Sequence, residues 1–257
     1  MVEMRIRLVT RGDDCGMCHS ANAAVRAAFR HGILRNTSVM VPCPAFEEAA
    51  EMLRDLPGVC VGLHVTLNAE WDAPKWGPVL PPEEVPSLVD AEGNLLQTTA
   101  LLYERRASLD EMVAEVRAQL DLMRARALDV SYLDRHMGVG WLPGLGDAIS
   151  HLAEQEGLIQ SGKAVRGLPR VEGKFADQSD RLIAALDAAL PGTYLIVGHP
   201  GYDREDMRQF RHPGLEEGQV ARERDADRRM FMDRKVLDFC AANGVVPIRF
   251  TEIEAPP

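Results

Sequence analysis

Residues 4–16 read Met-Arg-Ile-Arg-Leu-Val-Thr-Arg-Gly-Asp-Asp-Cys-Gly, and the fold turns on how this stretch is understood. Ile6, Leu8 and Val9 predict a buried strand, and the strand runs into two adjacent acids, Asp13 and Asp14. Beyond Gly16, the residues Ala21, Ala24, Val25, Ala28 and Phe29 share one face at helical spacing. A strand passing into a helix through an acid pair is a βα unit with carboxylates at the carboxyl end of its strand. Asp and Gly are also ordinary turn residues. Taken alone, the pair therefore leaves a solvated turn and a reactive strand end equally open.

Outward from this unit the same alternation recurs. Further strands are expected at 37–41, 60–67, 130–136, 164–167, 193–199 and 245–250, with the first at 4–10. Helical stripes lie between most of them. One is formed by Phe46, Ala49, Ala50 and Leu53, and a longer one by Leu109, Met112, Val113, Val116, Leu120 and Met123. Others follow at Leu145, Ile149 and Leu152, at Leu182, Ile183 and Leu186, and at Met230, Val236, Leu237 and Cys240. Ser108 with Glu111 predicts a capping box on the long helix. Gly32, Gly157 and Gly244 are expected to close helices in the left-handed conformation.

Alternating short apolar strands and helices imply a parallel sheet covered by helices, an α/β fold. About seven such units over some 250 residues fit a TIM-barrel-like closed arrangement better than an open sheet. No G-x-G-x-x-G or Walker loop follows any strand. The whole chain, 1–257, is read as a single domain with two long connections, about 69–107 and 201–221. Trp71 and Trp76 mark the first of these as an ordered loop over the substrate.

With 46% hydrophobic residues, the 257-residue chain can bury a sizeable core, and no apolar run nears the length needed to span a bilayer. A formal charge of −10 argues against a nucleic-acid or anionic-membrane partner. The first strand begins almost at Met1 with no signal-peptide pattern, so the cytoplasm is the expected compartment. Five cysteines, an odd number at wide spacing, do not form a secreted disulfide framework. Cys15 and Cys18 form a C-x-x-C where strand meets helix, which keeps a thiol–disulfide redox protein as a rival reading.

The residues that end the strands carry the functional signal. Asp13 and Asp14 follow the first strand, His64 lies in the third, His136 closes the fourth and His199 closes the sixth. In a βα barrel these ends share one mouth, so residues far apart in sequence converge there. Two imidazoles and a carboxylate suit a divalent cation with open positions. His19, His31, His151 and His212 fall in helices or the charged loop and are read as structural or solvated.

These residues resemble the YdjC-like carbohydrate deacetylases (the ChbG/HpnK group). The resemblance begins with Asp13-Asp14-Cys15-Gly16 and Asn22, and continues through Gly32-Ile33-Leu34-Arg35-Asn36-Thr37-Ser38-Val39-Met40. Gly62-Leu63-His64-Val65-Thr66-Leu67, Tyr132-Leu133-Asp134-Arg135-His136 and Gly198-His199-Pro200-Gly201-Tyr202 are similar to the later motifs, in the same order. Arg224, Asp227 and Asp233 fall where that family has a polar helix.

The resemblance implies a single-domain, distorted (β/α) barrel that removes acetyl groups from N-acetylated sugars or oligosaccharides with one divalent metal ion, magnesium or zinc. Carried over by position, Asp14, His64 and His136 hold the metal, Asp13 is the general base and His199 assists the departing group. Trp71, Trp76 and Arg224 are the expected substrate contacts, and a homodimer is the expected assembly. The family's His-x-His-x-His run is here His136-Met137-Gly138-Val139-Gly140, and Cys15 replaces its usual aromatic. Gly138 and Gly140 thus imply a reshaped pocket. They also favour a further alternative, a sugar-binding barrel that keeps the metal site without turnover.

Overall fold

The computed structural model describes residues 6–253, so Met4 and Arg5 of the first expected strand lie outside the described residues. The strands are β1 (Ile6–Cys15), β2 (Asn36–Val39), β3 (Cys60–Val65), β4 (Val130–Arg135), β5 (Ile159–Gln160), β6 (Arg166–Gly167), β7 (Gly192–Gly198) and β8 (Val245–Ile248). The helices are α1 (His19–His31), α2 (Phe46–Arg54), α3 (Thr99–Glu104), α4 (Leu109–Ala125), α5 (Leu145–Gln155), α6 (Ser161–Ala164), α7 (Gln178–Asp187), α8 (Glu205–Arg208), α9 (Gln219–Met232) and α10 (Arg234–Ala242).

Seven strands run in the order β5-β4-β3-β2-β1-β7-β6, and every pairing is parallel. β8 joins β1 beside Ile6–Val9, just below the point where β2 takes over the same edge. At that hand-over Asn36 donates to the carbonyls of Thr10 and Ile248 and accepts from the Phe250 N–H, so buried backbone groups between two neighbours stay paired. The sheet curls into a distorted barrel that is open between the two-residue strands β5 and β6, which do not pair with one another among the described residues.

Strand alternation sorts the side chains into two layers. Leu8, Val39, Leu63 and Leu133 belong to the large core beneath the helices. Their neighbours Val9 and Tyr132 instead join Cys60, Ile248 and Phe250 in a small separate core inside the curl. Tyr132 fills that interior so completely that a Cβ on Gly62 would lie 2.3 Å from its ring, while its hydroxyl meets Ser38 Oγ at 2.9 Å. Continuing upward at the same parity, the inward positions become Arg11 and Asp13 on β1, His64 on β3, and Asp134 then His136 along and just past β4. The interior therefore changes from apolar to charged toward the carboxyl ends.

Several local expectations are corrected. Residue 164 ends the short helix α6, so the fifth expected strand starts two residues later as β6, and β5 had no clear signature. The stripe from Met230 to Cys240 is two helices, because the Asp233 carboxylate accepts from Lys235 N and starts α10. Gly32 is extended rather than left-handed; it is glycine because a Cβ would lie 2.2 Å from the Phe231 carbonyl oxygen. Only half of the capping box forms: Ser108 accepts from Glu111 N, while the Glu111 carboxylate turns to Ser87. Gly157 and Gly244 are left-handed as expected.

Both long connections are ordered. Buried Glu115 of α4 accepts from Val79 N and Leu80 N, and Gln119 brackets Thr66, which fastens the first connection to the helix layer. The two connections also meet: Ala73 bridges Arg211, and Trp71 packs edge-on against Phe210 at 6.0 Å.

Candidate metal centre

The acid pair sits on a β-bulge. Gly12 pairs with Thr37 and Cys15 with Val39, so Asp13 and Asp14 together face the single residue Ser38. A bulge re-aims the side chains of its strand, and Asp14 completes it at a left-handed φ of 62°. Gly16 follows at φ 97°, where a Cβ would also press to 2.9 Å on the Met40 carbonyl oxygen. Asn22 locks the turn by accepting from Gly16 N and donating to the Ala45 carbonyl.

This geometry brings Asp14 Oδ1 to 3.3 Å from His64 Nε2 and 3.5 Å from His136 Nδ1, while the two nitrogens are 3.2 Å apart. All three residues are buried, and Asp14 Oδ1 has no hydrogen-bond partner. Separations of this size match the spacing between ligand atoms that would hold a cation through bonds of about 2.0–2.2 Å.

The outer atoms of each donor are pinned. His64 Nδ1 meets Asp134 Oδ1 at 2.9 Å, His136 Nε2 meets Glu70 Oε2 at 2.9 Å, and Arg224 Nη2 meets Asp14 Oδ2 at 2.7 Å. Carboxylates behind ligating imidazoles set the tautomer that points a lone pair at the cation. The donor set thus fits a divalent cation.

Electrostatics agree. Burial opposes charge on Asp14, but Arg224 and the two imidazoles outweigh it and hold the carboxylate well below its usual range. Burial likewise lowers His64, yet Asp134 and Asp13 carry it well above the ordinary imidazole value. His136, beside Glu70 and Asp14, is raised to about 9. Cation binding displaces such protons, so affinity rises with pH.

A second acid–histidine group, Asp13, His64 and Asp134, lies against the first. It already contains a cation, since Arg11 holds both oxygens of Asp13 at 2.7 Å and reaches Asp134 Oδ2 at 2.9 Å. This group therefore braces the centre from behind.

Above the triangle opens a cleft of about 760 Å³ lined by Asp13, Asp14, His64, Glu70, Trp71, His136, His199, Arg224 and Asp227, among others. His199 is half-exposed there. Asp227 Oδ2 accepts from its backbone N–H at 2.7 Å and stands 3.8 Å from Nδ1. Burial pushes the His199 imidazole down, but Asp227 outweighs it and leaves the group above its ordinary value.

A family model described as YdjC-like protein matches residues 7–242. The chain belongs to the YdjC-like protein family. It is 25% identical over 252 residues to a carbohydrate deacetylase of Thermoanaerobacter pseudethanolicus, covering 93% of this chain and 96% of that one. It is 28% identical over 206 residues to a carbohydrate deacetylase of Geobacillus stearothermophilus, covering 76% of this chain and 79% of that one. A crystal structure from Enterococcus faecalis V583, described there as a candidate cellobiose-phosphate cleavage protein, superposes with a TM-score of 0.80 at 20% identity, covering 98% of this chain and all of that one, a likeness of fold.

Of the residues singled out from sequence, Asp14, His64 and His136 meet in the triangle, and Asp13 lies beside it. His199, Trp71 and Arg224 line the same cleft, although Arg224 is committed to Asp14. Trp76, within the first connection, is buried with Nε1 donating to the Asn68 carbonyl, and the cleft lining does not include it. His212, read as solvated, is exposed and borders the cleft.

The redox reading is also corrected. Cys15 and Cys18 are free, buried thiols, and burial pushes each up to about 12, far from the thiolate that exchange requires. Sequence reasoning missed Arg11, Glu70 and Asp134 as partners. Arg11 and Asp134 each stand two residues before a chosen residue on the same strand face, a signal that was available. Glu70 lies in an irregular connection and had none.

Proposed function

We propose that the protein is a metal-dependent hydrolase that removes the acetyl group from an N-acetylated sugar or oligosaccharide. The observation that carries this reading is the buried triangle of Asp14 Oδ1, His64 Nε2 and His136 Nδ1, with the aspartate oxygen otherwise unpartnered. The deacetylase names of the relatives supply the acetylated sugar.

Asp14, His64 and His136 would hold the cation, which when bound polarises the acetyl carbonyl and acidifies water. Two imidazoles and one carboxylate suit zinc better than magnesium, which prefers an all-oxygen shell. Asp13 takes the proton of the attacking water. Arg11 grips both of its oxygens and aims the carboxylate, and each oxygen retains a lone pair. Water adds to the acetyl carbon, the C–N bond breaks, acetate leaves, and His199 hands a proton to the departing amine. Asp227 keeps that imidazole protonated to higher pH. Trp71 forms part of the wall against which the sugar lies.

Purified protein loaded with zinc should release acetate from N-acetylated sugars and lose turnover on chelation. Asp14→Ala and His64→Ala should come out without metal, while Asp13→Asn keeps metal and loses turnover. Sugar binding with no acetate released from any substrate would overturn the reading in favour of a binding protein.

The chain is further read as one domain, since β1 near one end of the sequence pairs with β8 near the other. Cytoplasmic residence is supported by five cysteines that are all free. Among the described residues no helix is long and apolar enough to cross a membrane. A homodimer completes the reading, and sedimentation at two concentrations tests it.

A further inference from the structure

We infer that Trp141 and Tyr103, with Met137, form a stacking platform for a second sugar ring at the rim of the cleft. The platform makes the protein selective for oligosaccharides over a single N-acetylated sugar. This rests on the deacetylase reading and extends it outward from the metal centre.

Among the described residues, few large hydrophobic side chains are exposed; two of them, Tyr103 at 54% and Trp141 at 53%, are in ring contact, and a third, Met137 at 55%, lies four residues before Trp141. Exposed apolar groups that cluster mark a binding surface more often than scattered ones do. Neighbouring residues tie the pair to the cleft. Met137 and Thr98 belong to the cleft lining, and Trp141 Nε1 donates to Oγ1 of the next residue, Thr99, at 3.2 Å. The indole N–H is thus already used, and its ring lies 5.4 Å from that of Tyr103 at a tilt of 44°. Beyond this contact both residues remain about half exposed.

A tight backbone reversal presents Trp141. Directly after His136, Met137 and Gly138 adopt φ values of 47° and 64°, reversing the chain so that Trp141 returns to Thr99. Two residues on, a Cβ at Gly140 would lie 2.4 Å from Arg135 Nη1. Glycine there lets Arg135 lie across the turn and border the cleft. Gly138 and Gly140 thereby shape this rim.

A pyranose ring has an apolar face of axial C–H groups and a hydroxyl-bearing edge. The exposed aromatic side chains match the first, and Thr98 and Arg135 on the cleft lining match the second. A single sugar held at the metal triangle fills the cleft floor, whereas the next ring of a chain leaving the cleft meets the platform.

The test compares N-acetylglucosamine with its β-1,4-linked dimer, trimer and tetramer. Trp141→Ala and Tyr103→Ala should lower kcat/KM for the oligomers about tenfold, the equivalent of about 1.4 kcal/mol, and leave the monosaccharide within about twofold. Trp141→Phe should restore most of the loss. Trp71 and Trp76 are buried, so iodide quenching of the native protein reports chiefly on Trp141. Oligomers should protect it and the monosaccharide should not. Equal losses on monosaccharide and oligomers, absence of protection, or protection produced by raising protein concentration without sugar would each overturn the platform. Absence of acetate release from every substrate would instead overturn the deacetylase reading, leaving the quenching result to decide the platform.

Discussion

Replacing Asp134 by Asn probes how the carboxylate behind His64 prepares the metal centre. Asp134 Oδ1 accepts from His64 Nδ1 at 2.9 Å, and Oδ2 stands 2.9 Å from Arg11 Nη2. Asparagine has one oxygen and one NH₂, so it cannot serve both. If its oxygen stays on His64, the NH₂ faces the Arg11 donors in a buried space. If it flips, the NH₂ donates to Nδ1, and the proton of His64 moves to Nε2, the atom that must offer a lone pair to the cation. Either outcome weakens the centre. Loss of such a carboxylate partner typically costs 10–100-fold in metal affinity, about 1.4–2.8 kcal/mol.

The assay is zinc competition against a chromophoric chelator, with thermal unfolding of the metal-free protein as a check on folding. Glu70→Gln supplies the internal comparison. Only Oε2 of Glu70 is bonded to His136, so the glutamine oxygen can replace it and the loss should fall at the lower end of that range. A folded Asp134→Asn protein that binds zinc within about twofold of the parent would refute the reasoning, as would a larger loss from Glu70→Gln.

Asp227→Asn should shift the pH profile. Asp227 raises the His199 pKa, and a proton donor loses activity as pH rises through its pKa, so the alkaline limb of kcat should move to lower pH. An unmoved limb would show that His199 is not the donor. Cys15 and Cys18 should resist alkylation at pH 8 in the folded protein, being buried with thiols pushed up to about 12, and react fully in denaturant. Mass spectrometry of both states decides this. Gly62→Ala should destabilise by about 1–3 kcal/mol through overpacking against Tyr132, and Tyr132→Phe in that background should not relieve it, because ring carbons make the contact. Urea unfolding measures both.

Much of the site was legible because strand periodicity and strand ends are local properties. The parallel α/β class followed from short apolar strands alternating with helical stripes, and the strand-end positions of Asp14, His64 and His136 followed from where those strands stop. Their division into metal ligands rested on ordered motifs. Less legible were features set by neighbours distant in sequence. Gly32 carried the signature of a helix cap, but its actual constraint is the Phe231 carbonyl from α9. Trp76 had the composition of a substrate-facing aromatic, yet the burial of the first connection against α4 took it inward.

The sequence by itself determined the βα alternation, the strands that carry acid and histidine, and the family. Hydrophobic period and ordered motifs are written along the chain. Only the tertiary structure decided that Asp13 and Asp14 divide across a bulge, with Arg11 holding one and Arg224 the other. It also decided that Asp134 and Glu70 stand behind the imidazoles, and that the C-x-x-C thiols are buried. Each of these depends on which side chains meet across the barrel, and a one-dimensional pattern specifies the face of a strand but not the partner opposite it.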